Sequence, residues 1–178
     1  MSENPTPEEQ LIAAAKTGHL KVVKYFENAG ADIHANDEAA LAGACRNGHL
    51  EVVEFLCDKD ADIHIDYDYP LRSACKGGSQ EIVESLVRKG ADIHVDDDEP
   101  VRIASEEGHF GIVKYLVGKG ADIRANRDES VRDAVEHEHW EIVRYLAKKI
   151  IDKRTEDAPE QESKKRKKKK QKMCANDE

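Results

Sequence analysis

The chain has 178 residues, in which 37 Asp and Glu side chains outnumber 28 Lys and Arg. This length fits one ordinary domain or one short array of repeats. The mean hydropathy of -0.74 and the lack of a long apolar run exclude a membrane-spanning helix, and the charged start MSENPTPEEQ excludes a signal peptide. We therefore expect a soluble, intracellular protein.

Positive and negative charges are separated along the chain. Residues 1–163 hold 20 basic and 35 acidic side chains, whereas residues 164–178 hold 8 basic and 2 acidic ones. The net charge of -9 therefore describes neither part.

The cysteines show no C-x-x-C pair and no dense spacing, which indicates a reducing compartment. Cys45 and Cys75 lie 30 residues apart, and each follows an alanine. We predict that these two are small buried packing residues rather than a redox pair.

The first element is predicted to start at a well-marked helix N-terminus. Thr6 is suited to the N-cap position, Pro7 to the first helical position and Glu9 to the reciprocal contact of a capping box. Residues 1–7 therefore form a short N-terminal segment ahead of the repeats.

From this point a unit of 30 residues repeats five times without insertion or deletion. The string GADIH returns as DADIH, GADIH and GADIR, and a second string, AKTGHLKVVKYF, recurs midway between these copies. Such a period indicates a repeat architecture. The repeats cover about 8–34, 38–64, 68–94, 98–124 and 128–154.

Each repeat is predicted to form two short helices. Leu41 and Cys45 lie on one face of the first helix, and Val53 and Leu56 lie on one face of the second. Gly48 lies between the two helices, where a left-handed residue ends the first. Neither helix is long enough to be stable alone, so each pair buries its apolar face against the next pair. The sequence therefore predicts an all-α solenoid of five stacked helix-turn-helix repeats with short loops, over residues 8–155.

The unit G-A-D-I-x…L-x-x-A-x-x-x-G-H-x-x-I-V-x-Y-L-x-x-x-G-A-D resembles an ankyrin repeat, and the resemblance runs from about Glu8 to about Asp152. The usual ankyrin unit has about 33 residues and begins helix one with T-P-L-H, whereas Tyr69-Pro70-Leu71-Arg72 stands there in the third unit. The 30-residue form resembles ankyrin proteins that are abundant in large DNA viruses of protists and in some amoeba-associated bacteria. In place of the family's projecting β-hairpin we expect a tight turn.

Recurrent histidines raise the question of a metal or catalytic site. Residues at one repeat position follow each other at roughly 8 to 10 Å, whereas zinc needs its ligands about 2 Å from one point. We predict that these histidines hydrogen-bond loop backbone and brace adjacent repeats; a site that combines one His and one Asp from neighbouring turns is the alternative. The positions concerned are His19, His49, His109 and His139, and His34, His64 and His94.

Enzymatic motifs are missing from the sequence. We find no phosphate-binding loop, nucleophile elbow, H-E-x-x-H motif or kinase signature. The chain is therefore predicted to be non-catalytic, with no cofactor and no metal ion.

The family resemblance implies that a partner protein binds on a concave face, formed by the loop tips and the exposed side of helix one. The candidate contact residues vary between repeats and are expected to face solvent. They are Tyr67, Asp68, Tyr69, Asp97, Asp98, Glu99, Arg127, Lys76, Glu106 and Glu107.

Two kinds of side chain in this set carry an alternative interpretation. Tyrosine is enriched among interface hot spots, but Tyr69 could instead pack over Pro70. The acidic tips favour a basic partner or form a solvated face. Arg72, Arg102 and Arg132 are predicted to tie each helix to the next acidic tip, or else to offer guanidinium groups to a partner.

Residues 156–178 lose the repeat, and we expect a disordered basic tail, or at most a helical extension of the last repeat. Its basic run matches a nuclear-import signal that binds an import receptor. The alternative is a polycation that binds nucleic acid or anionic lipid, without base preference because no aromatic residue interleaves it. The run comprises Lys164, Lys165, Arg166, Lys167, Lys168, Lys169 and Lys170.

These observations predict a non-catalytic protein-protein interaction scaffold that a C-terminal tail directs to the nucleus, with the cytoplasm as the other location. An electrostatic tether to nucleic acid or an anionic membrane through the lysine-rich tail is the alternative function.

Overall fold

A computed structural model describes residues 4–153, which form five consecutive helix pairs without a strand. The helices are α1 (Pro7–Lys16), α2 (Leu20–Asn28), α3 (Ala35–Arg46), α4 (Leu50–Asp58), α5 (Ile65–Gly77), α6 (Gln80–Arg88), α7 (Val95–Glu106), α8 (Phe110–Lys119) and α9 (Ala125–Glu136), followed by α10 over residues 140–153. The all-α solenoid expected from the sequence is confirmed.

The capping box at the first helix is present as predicted. The hydroxyl of Thr6 accepts the backbone N–H of Glu9 at 3.2 Å, and the Glu9 carboxylate accepts the backbone N–H of Thr6 at 2.9 Å. Pro7 occupies the first turn, where its missing N–H costs nothing. This cap starts the stack at a defined residue.

One continuous apolar core runs through all five pairs. Leu41 and Leu71 in the first helices and Leu56 and Leu86 in the second helices are fully buried. The first helices α1, α3, α5, α7 and α9 pack closely on one another, whereas the second helices make few mutual contacts. The row of first helices therefore forms the inner, concave side of the stack.

Each repeat is joined to the next by a tight left-handed turn. Three consecutive residues in each turn have φ between 45° and 62°, a region that Asn and Asp tolerate better than other side chains. Nine of these twelve turn residues are Asn or Asp, and the other three are Glu38, Tyr67 and Arg127. We call these segments the connecting turns: residues 36–38, 66–68, 96–98 and 126–128.

Candidate functional site

The third residue of each connecting turn is an acid. Glu38 lies with its Oε1 2.6 Å from His34 Nδ1 and also accepts the backbone N–H of Asp62 at 2.9 Å. Asp98 makes the same two contacts, at 2.8 Å to His94 Nδ1 and 2.9 Å to the backbone N–H of Asp122. The carboxylate therefore links one connecting turn to the start of the next.

This arrangement corrects part of the predicted contact surface. Asp68 and Asp98 are 4% and 7% exposed, because their carboxylates point into the stack to bind the neighbouring turn. The expectation that they face solvent is wrong. The first two residues of each turn do face solvent, so Asp97, Tyr67 and Arg127 stay on the surface.

A ladder of arginine and glutamate runs along the turns. Arg72 donates to Glu99 at 2.7 Å and to the backbone carbonyl of Asp66 at 2.7 Å. Arg102 lies 3.2 Å from Glu99 and 3.3 Å from Glu129, which also pairs with Arg132. The prediction that arginines tie their helices to the next acidic tip holds for Arg72 and Arg102. Glu99 is thus half-buried between two guanidinium groups.

Three of the four histidines that begin the second helices brace adjacent repeats. The Nε2 atoms of His49, His109 and His139 lie 3.0, 3.3 and 2.8 Å from backbone carbonyl oxygens of the preceding repeat. Since a carbonyl only accepts, each ring nitrogen donates. This is the bracing role predicted from the sequence, but His34, His64 and His94 depart from it, because their Nδ1 atoms lie 2.6, 3.0 and 2.8 Å from the carboxylates of the connecting turns. In the part of the chain covered by the structure, no group of three or more metal-ligating side chains comes together.

A cleft of about 620 Å³ opens on the concave side between the first three repeats. Lys16 and Arg46 lie on its helix side, and Asp37, Asp66 and Tyr69 lie on its turn side. Neither Lys16 nor Arg46 forms an ion pair within residues 4–153. The cleft therefore presents both signs of charge beside an aromatic ring.

Small residues create this cleft. Ala39, Ala42 and Gly43 form part of its wall, and a Cβ atom at Gly43 would overlap the side chain of Lys16. The other repeats carry Ala13, Ser73, Ile103 and Asp133 at the position of Gly43. Sequence reasoning overlooked Lys16 and Gly43, although the missing side chain at this one repeat position was a usable signal.

The remaining predicted contact residues lie around the cleft and farther along the concave side. Tyr67 is 73% exposed, and Tyr69 is 42% exposed with the Arg72 guanidinium 5.6 Å from its ring centre. Lys76 lies 3.8 Å from Glu107 across the repeat junction, and Glu106 is half-buried. The predicted nuclear-import run, 164–170, lies outside the described residues.

Two pKa shifts reflect this network. Hydrogen bonding to Glu38 raises the pKa of His34. Burial, reinforced by the negative charge of Glu129, raises the pKa of Asp133, which is a residue of the last inner helix. Both effects favour the protonated form of the group concerned.

The stacked helix pairs define a helical repeat protein whose varied surface lies on one side. A family model described as "Ankyrin repeats (3 copies)" matches residues 2–67 and 71–157, which is most of the chain, so the chain belongs to the ankyrin-repeat family. No curated protein matches it. Within residues 4–153, none of the helices has the length and apolar character needed to cross a membrane.

Proposed function

We propose that this chain is a non-catalytic scaffold that binds a partner protein across the cleft and the adjoining connecting turns. Ankyrin repeats generally mediate protein-protein interactions. The observation that carries the proposal is the exposed pair Tyr67 and Tyr69 beside a cleft whose charges, Lys16 and Arg46, have no partner among the described side chains. Tyrosine and arginine are the residue types that dominate interface energetics.

The first experiment is proximity labelling in cells, with the wild type and with Tyr67→Ala/Tyr69→Ala. We expect the proteins labelled by the wild type to be lost from the variant. Glu51→Ala/Glu54→Ala is the matched control, because both glutamates are exposed on the opposite, second-helix side. Equal labelling by the wild type and the tyrosine variant would contradict the site.

A comparison of two charge-neutralising variants determines the charge of the partner segment that enters the cleft. Lys16→Gln/Arg46→Gln removes the positive wall of the cleft, and Asp37→Asn/Asp66→Asn removes the negative wall while keeping side chains that tolerate left-handed backbone. Loss of binding in the first pair identifies an acidic partner segment, and loss in the second identifies the basic partner expected from the sequence. A purified partner that binds both variants as tightly as the wild type does not occupy the cleft.

We further propose that the basic run at 164–170 directs the protein to the nucleus through an import receptor. Its seven consecutive Lys and Arg residues support this. Deleting these residues should move a fluorescent fusion from the nucleus to the cytoplasm. If the deletion instead abolishes a strongly salt-dependent binding to RNA, DNA or anionic vesicles and leaves localisation unchanged, the tail acts as an electrostatic tether.

A further inference from the structure

The exposed large apolar side chains are concentrated at the two ends of the stack. Five of the seven found within residues 4–153 belong to the first or the fifth repeat, and the other two are the tyrosines of the concave face. The end residues are Val22 (38% exposed) and Tyr25 (68%) in the first repeat, and Val135 (43%), Trp140 (61%) and Ile151 (59%) in the fifth.

Two of these repeat positions, those of Val22 and Val135, are buried at every internal junction. The counterparts of Val22 face the preceding repeat and are each 1% exposed; they are Val52, Ile82, Ile112 and Ile142. The counterparts of Val135 face the following repeat and are fully buried; they are Ala15, Cys45, Cys75 and Ser105. The two ends therefore expose opposite halves of one interface that the stack itself builds four times.

The exposed aromatic residues at the two ends occupy the positions of an aromatic pair that packs together at an internal junction. At the junction of the fourth and fifth repeats, Phe110 packs edge-on against Tyr145, with ring centres 5.5 Å apart. Trp140 takes the position of Phe110 in the fifth repeat, and Tyr25 takes the position of Tyr145 in the first. Stacking the first repeat of one copy on the fifth repeat of another would bring Trp140 against Tyr25.

The ion pairs that join one repeat to the next would also continue across an end-to-end contact between two copies. Arg72 pairs with Glu99 and Arg102 with Glu129, each in the next repeat. The following arginine in the series is Arg132, whose side chain is 61% exposed. Glu9 occupies the repeat position of Glu129 in the first repeat, so a stacked second copy would supply the carboxylate.

A histidine brace is available as well. His139 donates to the backbone carbonyl of Glu106, and thirty residues later the corresponding carbonyl is that of Glu136, at the end of α9. His19 holds the histidine position in the first repeat, where its Nδ1 donates to the carbonyl oxygen of Thr17 at 2.9 Å, so the neutral ring must give up that bond and carry its proton on Nε2 to form the brace.

We propose that the chain associates with further copies of itself end to end, with the first repeat of one copy stacked on the fifth repeat of the next. The apolar, aromatic, ionic and hydrogen-bonding groups of the two ends correspond, residue by residue, to those of the internal junctions. Such an interface is heterologous, so it leaves one free end of each kind and can add further copies. It uses neither the cleft nor the tyrosines of the concave face.

Sedimentation velocity of the full chain over a range of concentrations tests this association. The wild type should change from monomer to dimer and larger species as concentration rises. Two variants each block one end: Val22→Glu/Tyr25→Glu at the first repeat and Val135→Glu/Trp140→Glu at the fifth. All four side chains are exposed, so circular dichroism and thermal melting should show the wild-type fold.

Each end-blocked variant alone should be monomeric at every concentration. An equimolar mixture should form a dimer and nothing larger, because it contains one competent end of each kind. Tyr67→Glu is the matched control, since it changes an exposed aromatic residue away from both ends, and it should associate as the wild type does.

Three results would overturn the proposal. A wild type that stays monomeric at millimolar concentration has no such interface. A first-repeat variant that still dimerises alone shows that fifth-repeat faces pair with each other. Association that Tyr67→Glu abolishes runs through the concave face instead.

Discussion

Gly77 lies against the backbone of Arg46, so closely that a Cβ atom at position 77 would overlap the carbonyl oxygen of Arg46. The other repeats carry Thr17, Asn47, Glu107 or His137 at this position. The third repeat also lacks the bracing histidine, which Ser79 replaces. The α3–α5 junction is thus held by close backbone approach where other junctions use a histidine.

Gly77→Ala should therefore destabilise the protein by about 1–3 kcal/mol, since the new methyl group meets rigid backbone. Chemical denaturation at neutral pH measures the effect. Gly118→Ala is the control, because a Cβ added there meets nothing within 4 Å beyond its chain neighbours and its own helix backbone; it should be neutral or stabilise by up to about 1 kcal/mol, as expected for alanine in a helix. Equal stability of the two variants would show that the backbone at the α3–α5 junction moves to accommodate the methyl group.

The buried carboxylates of the connecting turns make a second prediction. Asp98→Ala should cost about 1–3 kcal/mol in the free energy of unfolding, because the backbone N–H of Asp122 and the ring of His94 lose their acceptor. Asp97→Ala, one residue earlier, changes an exposed side chain with the same left-handed backbone. The difference between the unfolding free energies of the two variants, measured by urea denaturation, gives the contribution of the buried contact. A difference near zero would show that the Asp98 carboxylate does not stabilise the junction.

His34 should give the protein a pH-dependent contribution to stability. Because Glu38 raises the pKa of His34 in the folded state, the contribution is complete below the ordinary histidine pKa, near 6.5, and is lost as pH rises through the raised value. Relative to His34→Gln, the wild type should gain about 0.5 kcal/mol on the acidic side, a small effect because the ring is half-exposed.

A double-mutant cycle attributes that effect to the pair. In a Glu38→Gln background, His34→Gln should change the unfolding free energy equally at pH 5.5 and pH 8.5, values chosen on either side of the roughly 6.5 reference. A pH-dependent difference that persists in this background would assign the effect to another acidic group.

Cysteine reactivity should follow burial. Desolvation raises the pKa of the fully buried Cys45 and Cys75 thiols well above the usual range, and it raises the pKa of the half-buried Cys57 thiol as well. Only the thiolate reacts readily, and it must also be reached by reagent. Iodoacetamide labelling of the native protein, read by peptide mass spectrometry, should modify Cys57 before the other two; simultaneous labelling of all three would indicate global opening of the stack.

The period of the sequence was enough to predict the architecture. Five copies without a gap, glycines between helices and apolar residues at helical spacing all require stacked helix pairs, and the cap formed by Thr6 and Glu9 followed from local chemistry alone. The left-handed backbone of Asp60 also fits its place at a position held by glycine in other repeats. Local patterns succeed here because each repeat contacts only its neighbours.

The concave surface was predicted less well, for a geometric reason. Variation between repeats does not reveal which way a side chain points in a left-handed turn, so buried Asp68 and Asp98 were grouped with exposed Asp97. The cleft depends on Gly43, because the open space forms where this residue has no side chain. Exposure at the ends was equally hidden, since Val22 and Val135 are typical core residues by type.

The buried carboxylate that joins consecutive connecting turns also has a mechanical consequence. Each bond from the carboxylate to a backbone N–H spans one repeat, as from Asp98 to Asp122, so tension applied across the stack meets these links in series. When one link breaks, its repeat can unravel while the remaining repeats keep their own links. Pulling on the two ends should therefore lengthen the protein in equal steps of roughly 100 Å, the extended length of one 30-residue repeat.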